Sequence, residues 1–375
     1  MKIVTQISRI LVGVLFIISG FIKANDTIGF SYKLVEYFEI LHMPIFIDYA
    51  VGLAMVICIF EIIVGVALLI GAYSYLNAWL LLLMIVFFTL LTGYSAITNK
   101  VTDCGCFGDA IKLKPVESFI KDLVLLVFIL FIFIGHKYIK PLFNKGIETV
   151  GLGISLVVVT AFTLYTYMFL PKIDYLPYKV GNNIKTLMTY PVGAERDVYE
   201  MVFIYQKDGK QIELGINELG IINDTYKFID RKDKLVKQGF KLQIYDFKVY
   251  DRNMNIEYTD SLLADTSGYK LLIIQKSIEE SRKGTGEQLA ALTAPWVQNG
   301  NKVWALTASS NDIVEPYRHA NQLMYDYYTM DPTPLKSIVR SNPGIVLMKG
   351  NTIVKKWSSY AIPTYEMLKK HTEQQ

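Results

Sequence analysis

The polar and apolar positions divide the chain in two. Up to about residue 170, long apolar runs are interrupted only by short polar stretches; beyond it, charged residues recur every few positions. Apolar runs of about 18 residues or more are membrane-span candidates. Five stretches qualify: Ile3–Ile22, Tyr49–Ala72, Leu76–Thr98, Phe119–Gly135 and Ile147–Leu170, the last stopped by Pro171. The first resembles a signal peptide only superficially. Lys23 stands where small residues should precede a cleavage site, and further spans follow, so it is expected to stay as a span.

Past a linker at 171–181, stiffened by Pro171 and Pro177, the pattern shortens. Met201–Gln206 and Gln211–Ile216 flank Lys207-Asp208-Gly209-Lys210, a hairpin signal centred on Asp-Gly. Residues 218–240 read as polar surface, and 246–249 with 256–258 as a second short hairpin. Then come a strand at Lys270–Gln275, a helix at Gly286–Asn299, a strand at Lys302–Thr307 and a helix at Ile313–Asn321. An aromatic strand at Leu323–Met330 and a helical turn at Pro334–Ser341 follow. Two paired strands, Ile345–Met348 and Ile353–Trp357, and a final helix from Pro363 complete the pattern.

Composition agrees with the division. Apolar residues make up 52% of the chain and mean hydropathy is +0.31, too hydrophobic for a soluble protein of this length. The net charge of +4 is small and dispersed, which gives no reason to expect nucleic acid. With the amino terminus in the cytoplasm, five spans put the 99–118 loop and the carboxy-terminal half on the far side. The segment 136–145, with Lys137, Lys140 and Lys145 and no acidic residue, then faces inward as the positive-inside rule prefers. The resulting expectation is a multi-pass protein of the bacterial inner membrane with a periplasmic carboxy-terminal domain.

Three cysteines are too few for a disulfide scaffold. Two of them stand in Cys104-Gly105-Cys106-Phe107-Gly108-Asp109, between two spans. A bridge needs Cα atoms within roughly 4.4–6.8 Å, which an i,i+2 pair meets in a bent conformation that Gly105 eases. So small a ring should be strained, and strained, exposed disulfides are the oxidising ones. A redox-active pair, a static loop staple and two reduced thiols with no role all fit the spacing. No metal site is expected, because zinc wants four ligands and the loop offers two thiols and Asp109. Cys58, inside an apolar stretch, reads as a packing residue, and Gly13, Gly20, Gly65 and Gly71 as sites of close helix approach.

Two ionisable residues lie within spans. Intramembrane charges usually face the bundle interior, paired or functional. At 1.5 Å per residue Arg9 lies roughly 9 Å and Glu61 roughly 16 Å from the inner face, so the expectation is a buried Arg9–Glu61 pair joining the first two spans. The alternative leaves Arg9 snorkelling to the inner surface and Glu61 protonated.

These residues carry a resemblance. Arg9, Gly13, Phe16, Ser19-Gly20 and Lys23 resemble the opening helix of the DoxX family; Glu61, Gly65, Leu68-Leu69 and Gly71 resemble its second. The Cys104–Gly108 loop is similar to that of the MauE branch, the methylamine-utilization membrane proteins. The resemblance covers about residues 1–140. It implies a four-helix membrane bundle, a link to quinone electron transfer in some DoxX-type proteins, and, for MauE-type proteins, maturation of a periplasmic dehydrogenase through its disulfides. The fifth span and the long tail depart from that pattern.

The order strand–helix–strand–helix, then hairpin and helix, resembles a thioredoxin fold of the membrane-anchored thiol-oxidoreductase kind, over 245–370. Where that family carries Cys-x-x-Cys, this chain reads Ser277-Ile278-Glu279-Glu280-Ser281. A thiolate is the required nucleophile of thiol exchange, so the domain itself cannot perform it. Pro343 matches the family's cis-proline position. His319 and His371 read as surface residues.

The expected architecture is therefore an α-helical membrane bundle followed by an α/β thioredoxin-like domain. Its parts are a DoxX/MauE-like four-helix domain (1–140), a fifth span (141–171), a β-rich connecting region (172–244) and a degenerate thioredoxin-like domain (245–375). One functional reading is a thiol–disulfide redox or maturation factor using Cys104 and Cys106, with a quinone as electron partner and a periplasmic protein as client. The other is a membrane-anchored assembly module whose loop disulfide is structural. A transporter is the weakest reading, because the spans carry no convergent set of polar residues.

Overall fold

The computed structural model describes residues 1–101, 105–207 and 209–373. Helices α1 (Lys2–Asn25), α2 (Thr27–Ile40), α3 (Ala50–Ile70), α4 (Ser74–Thr98), α5 (Pro115–Gly135) and α6 (Lys145–Phe169) form the first region. All but α2 are long and apolar enough to cross a membrane. Their amphipathicity is that of a lipid-solvated bundle. On α1, Ile3, Ile7, Ile10, Val14 and Ile18 point outward, while Thr5, Ser8, Arg9, Ser19 and Lys23 are buried.

Helices α1 and α3 pack antiparallel at close range. A Cβ on Gly65 would stand 3.0 Å from the Gly13 carbonyl oxygen, so only glycine lets these backbones approach so closely. Cys58 is fully buried among Ala24, Phe30, Ala54 and Ile62. Helix α2 starts at Asp26, whose carboxylate caps it by accepting from the Gly29 amide at 2.8 Å.

The α6 exit is held to the α1 terminus. Asn25 Oδ1 accepts from the amides of Lys172 and Ile173, both at 3.0 Å, and Asn25 Nδ2 donates to the Ile173 carbonyl at 2.7 Å. Thr166 donates to the Ala24 carbonyl at 2.6 Å. Both termini are thus tied without a covalent link.

Residues 182–247 form a separate compact unit. Beyond the short helix α7 (Ile184–Leu187) it holds an antiparallel sheet of β1 (Val198–Lys207), β2 (Lys210–Gly215) and β3 (Lys227–Lys237), ordered β2-β1-β3. The β1–β2 hairpin closes at Lys207 opposite Lys210. Strand β3 lies inside the stretch read from the sequence as plain surface. All of its side chains are exposed, so it carries no alternating apolar signal.

The remaining elements are α8 (Thr259–Ala264), β4 (Tyr269–Gln275), α9 (Thr285–Gln298), β5 (Lys302–Thr307), α10 (Asn311–Ala320), β6 (Tyr327–Thr329), α11 (Pro332–Ile338), β7 (Gly344–Lys349), β8 (Thr352–Ser358) and α12 (Tyr365–Glu373). Together with 1–181, residues 248–375 belong to one compact unit. The sheet runs β6-β5-β4-β7-β8, with β4, β5 and β6 parallel and β7 and β8 antiparallel additions. This is the thioredoxin-like order of parallel crossovers followed by a hairpin. Strand β4 is central and buried along nearly its whole length, which explains its unbroken KLLIIQ run. Leu271, Ile273, Ile345 and Leu347 pack with Leu289, Trp296 and Leu368 from α9 and α12. The hairpin expected near 246–258 is reduced to a single bridge, Tyr250 to Glu257, and the aromatic strand shrinks to three residues.

Candidate functional site

The loop between α4 and α5 is built around Gly105 and Cys106. Cys104 lies outside the described residues, so the geometry of the Cys104–Cys106 pair does too. Gly105 has φ +66°, and a Cβ there would stand 3.0 Å from Lys33 Cγ on α2, so position and conformation both favour glycine. The Cys106 carbonyl accepts from Ser19 Oγ on α1 at 2.9 Å. A turn follows, with the Gly108 amide donating to the Gly105 carbonyl at 3.0 Å. The ammonium of Lys121 lies 5.4 Å from the Phe107 ring centre.

Arg340 joins this loop to the thioredoxin-like domain. It sits just after α11, and its side chain is 6% exposed. Nε donates to Asp26 Oδ2 at 2.8 Å, Nη2 to Asp109 Oδ2 at 2.5 Å and Nη1 to the Lys336 carbonyl at 2.5 Å. Burial opposes its charge, but the carboxylates of Asp26 and Asp109 hold its pKa above the ordinary guanidinium value. Asp26 thus serves twice, capping α2 and anchoring Arg340.

Tyr32 of α2 lies beneath three cations. Arg340, Lys276 and Lys336 stand 5.4, 5.1 and 5.0 Å from its ring centre. Lys276, just past the end of β4, hydrogen-bonds to the Tyr32 hydroxyl. Burial, reinforced by Arg340, lowers the Lys276 pKa to about 8. Burial raises the Tyr32 phenol to about 12 despite Arg340 and Lys336. The carboxyl end of β4 therefore faces the bundle.

At that end, hydroxyls and amides bond to one another. Asn342 Nδ2 donates to the Ser277 carbonyl at 2.7 Å, and Ser281 Oγ to Asn342 Oδ1 at 3.3 Å. The Arg282 amide donates to the Asn342 carbonyl at 3.0 Å. The Asn342–Pro343 peptide bond is cis.

Inside the bundle the expected Arg9–Glu61 pair does not form. Glu61 pairs with Lys23, their side chains 7% and 3% exposed. Arg9 Nε and Nη2 instead donate to the carbonyls of Leu68 and Leu69 at 2.9 and 2.6 Å. The antiparallel register explains the difference. Gly20 lies against Cys58 and Ile62, and Gly13 against Gly65 and Leu69. Lys23 is thereby brought near Glu61, while Arg9 lies opposite the end of α3, whose last carbonyls lack helical partners.

A cavity of about 540 Å³ opens beside the pair. Its walls come from α1–α5 and the cysteine loop and include Phe16, Phe30, Phe87, Phe88, Lys23, Glu61 and Cys106. A second charge pair, half-buried Lys121 to buried Asp122 at 2.7 Å, also lines it. Asp122 accepts further from Thr92 Oγ1 at 2.9 Å.

Residues 1–135 match the family model described as methylamine utilisation protein MauE. Over those residues the apolar helical bundle is similar to the MauE membrane proteins. Residues 199–238 match a domain of unknown function, DUF8463, which spans β1 to β3. No curated protein matches the chain. The solution structure of a candidate protein disulfide isomerase from Bacteroides thetaiotaomicron is similar at 13% identity and a TM-score of 0.27, over 34% of this chain and 83% of that one.

Sequence reasoning singled out Cys106 and Glu61 but missed their settings. Lys23 was legible as a charge at a span end, and Asp26 as a helix-cap residue. Arg340 carried no signal, being one arginine in a turn far along the chain from both of its carboxylates.

Proposed function

We propose that this MauE-like protein is a thiol–disulfide oxidoreductase of the bacterial inner membrane that matures exported proteins, with its thioredoxin-like domain on the periplasmic side. Cys104 and Cys106 form the exchanging pair. A client thiolate attacks the loop disulfide, a mixed disulfide forms, and the second client thiol resolves it, leaving the client oxidised and the loop as a dithiol. The loop disulfide re-forms as two electrons and two protons pass to a membrane quinone.

The observation carrying this reading is the Arg340 bridge. A thioredoxin-like domain with no cysteine of its own is ion-paired, next to its cis-proline, to the loop that holds Cys106. Fold and thiol, combined on one domain in an ordinary thioredoxin-like oxidoreductase, are here supplied by two regions of one chain. In this reading the domain presents clients to the bundle's cysteines, and Pro343 contributes to the client-facing surface.

The test is alkylation trapping of Cys104 and Cys106 in whole cells. A pair whose redox state follows quinone supply, together with a mixed disulfide captured by Cys106→Ala, supports the proposal. A permanently oxidised pair that Cys→Ser replacement leaves without phenotype overturns it in favour of a structural loop staple in an assembly module.

A further inference from the structure

We infer that the bundle cavity is the binding site for the electron acceptor, an isoprenoid quinone whose ring lies between Phe30 and Phe88 and takes a hydrogen bond from Lys23. The inference rests on the redox reading above and adds to it a location and a set of contacts. Four observations carry it.

The first is size and lining. About 540 Å³ lies within the usual range of small-molecule sites. The walls are largely aromatic and aliphatic, with polar groups at a few points, as suits a ligand that is mostly hydrocarbon.

The second is the cost of the Lys23–Glu61 pair. Burying an ion pair costs several kcal/mol per ion, only partly regained by mutual attraction. Holding α1 to α3 does not require it, because the Gly13–Gly65 approach and the Arg9 cap already join them. A buried pair lining a cavity inside a membrane bundle points to a ligand.

The third is charge. Glu61 neutralises Lys23, so an anionic lipid headgroup would meet a pair with no net charge. A neutral carbonyl acceptor needs only one ammonium proton. The ammonium stands 5.3 Å from the Phe30 ring centre and 5.6 Å from that of Phe88, so the donor and two aromatic surfaces for a flat ring converge.

The fourth is adjacency. Cys106 lines the same cavity. A ligand there is close to Cys106, a member of the pair whose oxidation must release two electrons and two protons. An acyl chain would fill the apolar volume but accept neither.

The experiment uses the full-length protein in nanodiscs, in a Cys104→Ser/Cys106→Ser background, with a photoreactive azidoquinone and mass-spectrometric mapping. Removing the thiols separates binding from redox activity, so failure of the redox reading leaves this result standing. The expected labels fall on peptides containing Phe30 and Phe88 and are competed by a short-tailed quinone. Ile57→Trp, which fills the cavity, weakens binding by about tenfold or more. Lys23→Met/Glu61→Gln removes both charges together, a change that buried pairs tolerate, and weakens binding by a similar factor. Labels elsewhere on the bundle, labelling indifferent to Ile57→Trp, or a tightly held phospholipid that quinone does not displace would each overturn the inference.

Discussion

Arg340 and Asp109, separated by 231 positions in the chain, meet at 2.5 Å. The same guanidinium reaches Asp26 at 2.8 Å. One arginine therefore fixes the cysteine loop, the start of α2 and the turn before Pro343 in a single arrangement. Arg340→Met leaves Asp26 and Asp109 facing each other without the cation they share. Removing one partner of a buried pair costs about 3–5 kcal/mol, and because Asp109 keeps 24% of its side-chain exposure the lower end applies. Thermal unfolding in detergent should report that loss, and alkylation of Cys106 should quicken as its loop is released. An unchanged alkylation rate would contradict the clamp.

The Lys276–Tyr32 contact sets a pH dependence with a definite sign. The folded Lys276 value of about 8 lies below its ordinary 10.5. Between these values the unfolded chain binds more protons, so this residue makes stability rise with pH across that window. Tyr32 acts oppositely. Its folded value of about 12 lies above the ordinary 10.0, so its contribution is lost as pH climbs from 10 to 12. Difference curves of unfolding midpoint against pH, wild type minus Lys276→Met and wild type minus Tyr32→Phe, should slope in opposite directions within those windows.

Arg9 and Glu61 should behave as independent sites. Arg9→Met removes two charge-assisted bonds to the end of α3, at about 1.5–3 kcal/mol. Glu61→Gln leaves Lys23 buried without its carboxylate, at about 3–5 kcal/mol. The double variant should sum the two within about 0.5 kcal/mol, as for sites with no shared partner. A larger coupling measured in a double-mutant cycle would restore the direct pair.

Gly105→Ala must hold a positive φ and press on Lys33. A non-glycine residue in that region costs about 1–3 kcal/mol. The unfolding midpoint should fall accordingly, and Lys33→Ala should recover part of it by vacating the space 3.0 Å away.

How much of this was written in the sequence depends on whether a signal is local. The spans and the strands β4, β5 and β7 show themselves because each carries a run of apolar residues to be taken out of water. KLLIIQ has nowhere to go but the centre of a sheet. Helix α2 went unread because TIGFSYKLVEYFEI mixes polar and apolar positions, and one of its sides receives the Arg340 cluster rather than a hydrophobic core. Lys23 was visible, yet pairing it with Glu61 required the α1–α3 register, which glycine contacts determine in three dimensions. Arg340 depends wholly on tertiary placement. The cysteine motif was the clearest chemical signal, but its setting under Lys33 and beside Ser19 had no counterpart in spacing.

The three hydrogen bonds that Asn25 makes to residues 172 and 173 carry a mechanical consequence. Where the chain leaves the fifth membrane helix it has no free swivel. The thioredoxin-like domain, also moored through Arg340, is no mobile arm that ferries thiols between distant sites. In the proposed reading, each client therefore diffuses to a stationary port at the bilayer surface.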